Sequence, residues 1–374
     1  MKIAIFHNFM DNIGGAEYVD LIMARELGAD IFTTNIDRDK IRKMGFSSDR
    51  IFSIGRVPVH APLRQELTYR RFRYLNLKKR YDCYIIAGDW AMAAGRHNQP
   101  NLWYVYSPIR EIWDLRDYVK KNMVGPAGGP AAGMLFGLWS QYHRTMNRRN
   151  LKYINRVVAI SSNVQQRVSQ YLGRQANVVY PPTETARYHY GRAGEYWLSV
   201  NRLITHKRVD LQLKAFARLP QERLVVVGSY EQSAHFQRYA SYIQRIKPAN
   251  VELRSWVSAQ ELIELYANCK AFITTAYKED YGMTPVEAMA AGKPVIAPAE
   301  GGYPETVQDG PTGRLIVELN EDTLTAAIAS LSAELKNPEV RARYRAACQA
   351  RAKKFDTAVF IEKLKKEISQ VVTL

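Results

Sequence analysis

Cysteine is scarce in this chain: Cys83, Cys269 and Cys348 are the only three in 374 residues, and they lie far apart. An odd number at such spacings builds neither a disulfide framework nor a zinc site. It fits a reducing, cytoplasmic compartment. Long apolar runs are missing as well. The longest, Ala131 to Trp139, falls well short of the roughly 20 residues that a membrane-spanning helix needs. The opening Met1 to Asn8 reads as a strand rather than a leader, because its apolar run is short and Asp11 soon follows. Acidic residues are in deficit, with 36 Asp+Glu against 53 Lys+Arg and a net charge of +17. The deficit is concentrated in residues 1–182, which hold 14 acidic and 27 basic residues. A basic first half implies an anionic partner there: a membrane surface, a nucleic acid or a phosphorylated substrate. No G-x-x-x-x-G-K-[ST] loop, H-E-x-x-H pair or G-x-S-x-G elbow occurs. Phosphate-loop, zinc-protease and serine-hydrolase chemistry are thereby set aside. The seven histidines form no cluster with ligand spacing.

What is present is alternation. Ile3–Phe6 reads as a strand, Gly14 to about Leu27 as a helix, and further strands follow at 30–33, 84–87, 102–106 and 156–160. A second alternating series starts at Tyr196–Val200 and continues at 224–227, 271–275, 295–297 and 314–317. Short apolar strands alternating with helices predict parallel sheets covered on both faces. The α/β architecture expected is two doubly wound domains, 1–182 and 195–356, joined by a polar linker at 183–194. A final helix spans 357–374. Ligands of such domains sit at the carboxyl ends of the strands, and the cleft between two of them is the natural place to look.

The most informative stretch runs from Glu279 to Ala297. Thr284, Pro285 and Glu287 have the residue types of a helix start, Gly292 those of its end, and Pro294-Val-Ile-Ala those of a buried strand. A loop at a helix N-terminus offers amides and a positive dipole end to phosphate. Glu287 is then either a binding residue or the last member of a Thr-x-x-Glu capping box. Gly14 and Gly15 open the first helix and let a ligand approach the backbone, though not with dinucleotide G-x-G-x-x-G spacing. Arg202 and Lys207 bracket a strand-to-helix loop, where fixed cations could stabilise an anionic leaving group. They could equally be a solvated basic loop. Tyr106, Ser107 and Arg110 end a strand of the first domain. Trp113 is either a sugar-stacking face or a packed aromatic. Gly228-Ser229-Tyr230 and Trp256 follow strands of the second domain and could meet a phosphate and a base. Arg64 to Arg80 reads as a basic amphipathic helix for a membrane surface or anionic acceptor. The Gly-rich apolar run Met123 to Trp139 could dip into a bilayer, cover a lipid-linked acceptor or feed a core helix. No nucleic-acid reader motif accompanies the basic residues.

Taken in order, these motifs are specific: Gly-Gly-Ala-Glu, Ser-Pro-x-Arg-x-x-Trp-Asp, Ile160-Ser-Ser-Asn, Tyr-Pro-Pro, Arg202 with Lys207, Glu279-x7-Glu287, and Gly301-Gly-Tyr-Pro-Glu305-Thr-Val-x-Asp-Gly310. The chain resembles the retaining glycosyltransferases of family 4, with the GT-B fold, and within them the mannosyltransferase-like group. The resemblance implies transfer of a sugar from a nucleotide sugar, GDP-mannose first and a UDP-sugar second, to a lipid-linked or oligosaccharide acceptor. It implies an enzyme that works peripherally at the cytosolic membrane face, with no cofactor and no metal. Asp37-Arg38-Asp39 spells a metal-associated D-x-D, but it lies in a charged stretch that reads as an exposed helix start. By resemblance, Arg202 and Lys207 bind the donor diphosphate and Glu287 the ribose. Glu279, Asp280, Tyr281, Gly282, Met283 and Thr284 hold the donor sugar, and Gly14, Gly15, Tyr106, Arg110 and Gly228 complete the donor site. The last helix is expected to cross back to the first domain. One departure stands out: Tyr106 occupies the position of a family histidine that contacts the donor sugar, and tyrosine cannot act as an imidazole. A catalytically impaired sugar-nucleotide-binding protein, or an epimerase of the same architecture, is the competing expectation.

Overall fold

A computed structural model describes residues 1–12, 14–228, 234–255 and 257–373. Among these residues one sheet is built from β1 (Ile3–Phe6), β2 (Asp30–Thr33), β3 (Ile51–Ser53), β4 (Cys83–Ile86), β5 (Asn101–Val105), β6 (Arg156–Ala159) and β7 (Asn177–Val178). Its order is β3-β2-β1-β4-β5-β6-β7, with every pairing parallel. A second parallel sheet contains β8 (Tyr196–Val200), β9 (Arg223–Val227), β10 (Val251–Arg254), β11 (Ala271–Ile273), β12 (Val295–Pro298) and β13 (Gly313–Ile316). Its order is β10-β9-β8-β11-β12-β13. Both orders reverse direction once, between β1 and β4 and between β8 and β11. That reversal is the switch point at which doubly wound sheets bind ligands.

The central strands are apolar throughout because helices cover both faces of a parallel sheet. β1, β4, β5 and β12 are buried along their whole length. In the second sheet the core centres on Trp197, Phe216, Leu224, Ile328 and Leu331, which joins the helices Val209–Ala217 and Glu321–Glu334 to the strands. The edge strand β3 leaves Phe52 and Ser53 exposed. The chain divides into two compact units, Met1–Pro182 with Phe360–Leu374, and Thr183–Val359. The terminal helix Thr357–Val372 is tied to the first unit by Glu367, which pairs with Arg156 and accepts from Asn177 at 3.1 Å. Phe360 also meets the Tyr104 ring edge-on at 5.8 Å.

Two expectations change. The basic helix is shorter, Leu63–Tyr74, and the chain beyond it turns through left-handed conformations at Lys78 and Lys79. The Gly-rich run is helical: Gly125–Asn150 forms one element with a break at Gly129 (φ 64°). Glycine tolerates that backbone, so the kink needs no further accommodation.

Candidate functional site

In the second unit three loops leave the carboxyl ends of β8, β11 and β12. They bring together Lys207 and Glu279, 72 positions apart, with Nζ 2.5 Å from Oε2. The backbone beneath this pair is locked. Thr275 Oγ1 donates to the carbonyls of Lys207 and Arg208 at 2.8 and 3.0 Å, and itself accepts from Gln212 Nε2 at 2.8 Å. Arg208 takes a left-handed φ of 51°, costly for a non-glycine residue. Its guanidinium donates to the Thr275 and Ala276 carbonyls at 2.6 and 3.3 Å and pairs with Glu300, tying all three loops. Arg202 is exposed on the same β8 loop.

The Gly301-Gly302 pair exists because two backbones touch there. A Cβ on Gly301 would stand 2.4 Å from the Glu279 carbonyl oxygen, and one on Gly302 2.5 Å from Tyr281 Cα. Gly302 N donates to Glu279 O at 2.9 Å. Tyr303 buries its hydroxyl 2.8 Å from Thr274 Oγ1. The loop carrying Glu279, the half-buried Asp280 and the buried Tyr281 is therefore pinned from its C-terminal neighbour.

The helix that follows is Met283–Ala290, and its N-cap is Gly282 at φ 90°, with no side-chain cap. This corrects the capping-box expectation. Gly282 turns the chain against the Tyr303 ring, so Thr284 and Pro285 lie inside the first turn and Glu287 beyond it. Glu287 instead accepts from Tyr266 Oη at 2.7 Å, with the Tyr188 hydroxyl and the Arg187 charge also acting on it. Burial raises its carboxyl above the usual range, while those partners pull it down. Gly228 is buried, and a Cβ there would meet the Asn201 carbonyl oxygen at 2.1 Å, so its glycine serves the close packing of the β8 and β9 loops. Ser229, Tyr230 and Trp256 lie outside the described residues.

In the first unit the carboxyl edge holds a buried charge chain. Gly14 is the N-cap of the helix Gly15–Leu27, and its amide donates to Glu17 Oε2 at 2.8 Å. Glu17 Oε1 is 3.1 Å from His7 Nε2, and His7 Nδ1 is 2.5 Å from Asp20 Oδ2. Tyr106 Oη donates to Asp20 Oδ1 at 2.6 Å. Burial pushes the His7 imidazole down, but Asp20 and then Glu17 outweigh it and lift it to about 10. His7 is thus an imidazolium. Burial raises the Asp20 carboxyl, and burial followed by the Asp20 charge pushes the Tyr106 phenol well up. The Tyr106 hydroxyl proton is committed to Asp20.

Arg110 is paired with Asp114 at 2.9 Å, and Asp114 also lies 3.8 Å from Arg167. Trp113 is a packed aromatic: it is buried, stacks on Tyr171 at 5.3 Å and lies beneath Arg144 and Arg148. Asp37 caps the helix Arg38–Lys43 by accepting from Lys40 N at 3.0 Å, and Asp39 pairs with Arg42. Sequence reading passed over His7, Asp20, Arg208, Tyr266 and Glu111. The Glu111 carboxyl is lifted to about 7, first by burial and then by the charge of Asp89. The usable signals were the place of His7 immediately after β1 and the i, i+3 spacing of Glu17 and Asp20 on one helix face.

Residues 192–354 match the family of glycosyl transferases group 1, and this span takes in most of the second unit. A D-inositol 3-phosphate glycosyltransferase of Mycobacterium leprae is 33% identical over 153 residues, 40% of this chain and 35% of its own. An alpha-1,3/1,6-mannosyltransferase of Candida glabrata is 25% identical over 245 residues, covering 50% and 54% of the two chains. The chain thus spans 35% and 54% of the length of these curated relatives. Among solved structures, Anabaena HepE in complex with UDP-glucose superposes with a TM-score of 0.73 at 17% identity, covering 99% of this chain and 100% of that one. Sucrose-phosphate synthase of Thermosynechococcus elongatus gives 0.75 at 17% identity, covering 100% and 99%. At that identity the likeness shows the fold alone, the GT-B fold with its two Rossmann-like units.

Proposed function

We propose that the chain is a retaining glycosyltransferase that moves a sugar from a nucleoside diphosphate to an acceptor hydroxyl. The observation that carries this reading is the Lys207–Glu279 pair at the β8/β11 switch point, on the loop that leads into the helix bearing Glu287. Lys207 and Arg202 neutralise the departing diphosphate, Glu279 and the amides of its loop hold the sugar, and Glu287 takes the ribose hydroxyls. The acceptor attacks on the face the diphosphate leaves, and a leaving phosphate oxygen takes the acceptor's proton. This route uses no protein nucleophile, and its neutralising charge comes from side chains and amides. GDP-mannose is the first donor, supported by the mannosyltransferase relative. A UDP-sugar is the second, supported by the UDP-glucose complex of HepE. A nucleotide-sugar panel read by thermal shift should single out one donor, since a ligand stabilises by an amount that grows with the logarithm of its affinity. Glu287→Gln should weaken that donor about tenfold, as expected for one charge-assisted hydrogen bond. An unchanged donor affinity with a lowered melting point would return Glu287 to a purely structural role.

The acceptor in this reading is lipid-linked and met at an anionic membrane surface. In the first unit Met134, Leu135, Leu138 and Tyr142 project from one side of the helix Gly125–Asn150 and are exposed. The helix Leu63–Tyr74, which carries Arg70, Arg71 and Arg73, packs against it where the Tyr69 ring meets His143 at 5.8 Å. From Tyr118 to Thr183 the chain carries no acidic residue at all. Exposed apolar side chains on a basic unit suit the headgroup boundary. No helix among the described residues is long and apolar enough to cross a membrane. Phosphatidylserine vesicles should bind the protein at low salt and release it as salt rises. Leu135→Asp with Leu138→Asp should cut binding about tenfold or more. Equal binding to neutral vesicles would remove the electrostatic half of the idea.

One observation favours a second reading, donor binding without turnover. The Tyr106 proton is given to Asp20, so the hydroxyl is not a free donor for a sugar. Donor binding with neither transfer nor hydrolysis would select that reading. Conversion of the donor without an acceptor would indicate an epimerase.

A further inference from the structure

The second unit carries a cationic pocket at the opposite end of its sheet from the loops just described. It has a volume of about 400 Å³ and is lined by residues that immediately precede β8, β9, β11 and β12, among them Gly194, Glu222, Lys270 and Lys293. A five-residue strand separates the two ends of such a sheet by roughly 16 Å, so this pocket is no part of the proposed donor site.

Lys293 is its unusual member. The side chain is buried, and its ammonium donates to the Arg192 carbonyl at 2.6 Å and lies 4.0 Å from the Tyr190 ring centroid. Among the described residues no carboxylate pairs with it. A buried ammonium without a counter-charge is costly, and burial accordingly pushes Lys293 down to about 8. The rest of the lining worsens the imbalance. Lys336 is exposed and Arg341 is half-buried, its guanidinium donating to the Leu335 and Lys336 carbonyls and, among the described residues, pairing with no carboxylate. The one acid, Glu222, is spent on Lys270 at 2.6 Å, the Trp197 indole at 2.8 Å and Ser332. Arg345 also lies over Tyr190, at 4.4 Å, and lines an adjoining cavity of about 480 Å³ that shares Tyr190 and Arg341. Gly292, at φ 71°, is what lets the ring and Arg345 come so near: a Cβ there would meet Arg345 Cγ at 2.9 Å.

We propose that this pocket is a second ligand site, for a phosphorylated small molecule. A phosphate group supplies the missing counter-charge beside Lys293, takes the planar fork of Arg341 and the point charge of Lys336, and leaves the wall at Ala193, Pro294 and Leu335 for the body of the ligand. It does not depend on the identity of the transferred sugar.

Pyrophosphate and inorganic phosphate are the probes, titrated into the full chain by calorimetry with thermal shift alongside. The wild type is expected to bind pyrophosphate. In a chain carrying Arg202→Ala and Lys207→Ala, whose donor loops no longer hold a diphosphate, pyrophosphate is expected still to bind, and adding Lys336→Ala with Arg341→Ala should weaken that binding about tenfold or more. Because Arg341 also holds two backbone carbonyls, Lys336→Glu is the companion variant: its side chain is exposed, and it should weaken pyrophosphate without lowering the ligand-free melting point. No binding by the wild type overturns the proposal. So does binding that is absent from the Arg202→Ala, Lys207→Ala chain, because the anion then sits at the donor loops, or binding in that chain that survives the pocket variants. A failure of the transferase reading would instead show as absent sugar transfer with this pyrophosphate pattern intact.

Discussion

Lys207→Ala is expected to lower kcat/KM for sugar transfer by about 10²–10³-fold, the size of effect seen when one preorganised group is removed from a developing charge. The diphosphate gains charge as the glycosidic bond breaks, and a cation already in place spares the reorganisation that water would need. Lys207 is in place because Thr275 holds its carbonyl and Glu279 holds its ammonium. The fold should hardly notice the loss. The pair keeps some contact with solvent, so the Glu279 carboxylate left behind can rehydrate and costs less than a fully buried charge. Initial rates with the donor chosen by the panel, beside a circular-dichroism melt, separate the two effects. If Arg202→Ala with Lys207→Ala turns over at the wild-type rate, the diphosphate does not leave through this loop.

His7→Leu should be the most destabilising single change in the first unit, by about 3–5 kcal/mol, because it strands buried carboxylates without their counter-charge. For a unit of this size that is a fall in melting temperature on the order of 10 °C. Adding Asp20→Asn should recover part of the loss, since the stranded charge goes with it. The pH dependence has a definite sign. His7 is raised from its ordinary 6.5 to about 10, so its contribution is complete below pH 6.5 and disappears as pH rises through about 10. Glu17 is the mirror case. Burial raises it, but the His7 hydrogen bond and charge hold it below its ordinary 4.5. Its contribution is present above pH 4.5 and is lost as pH falls through its folded value. The gap between wild type and His7→Leu should therefore narrow toward pH 10. A variant that melts with the wild type across this range would mean that His7 is not an imidazolium.

Much of the fold is legible in the sequence because a parallel strand buried on both faces must be apolar throughout. β1, β5 and β8 announce themselves as short apolar runs between helix signals. β3 and β10 do not. They are edge strands of three and four residues, and each buries only one of them. The Gly-rich run misleads for a related reason. Its glycines suggest a loop, but the helix Gly125–Asn150 gathers Trp139 and His143 around Trp90, and tertiary packing overrides weak local propensity. In the candidate site, loop residues such as Glu279 and Gly301 are readable because short range fixes their relations. The chain from Gly14 through His7 to Tyr106 is not readable. Its members come from β1, a helix and β5, and only their packing reveals that the Tyr106 proton is already engaged. The helix start is a smaller case: Thr284 has the chemistry of a cap, but Gly282 has the backbone freedom, and the backbone decides.

The three cysteines carry a consequence of their own. All three are fully buried. Burial holds Cys83 and Cys269 at about 12 and pushes Cys348 higher still. The thiolate is the reactive form, so the native chain resists alkylation until a segment opens. Cys83 lies in the first unit, and Cys269 and Cys348 lie in the second. Each unit thus contains its own chemical clock: the alkylation rate of each thiol times the opening of one half of the protein, with no label introduced.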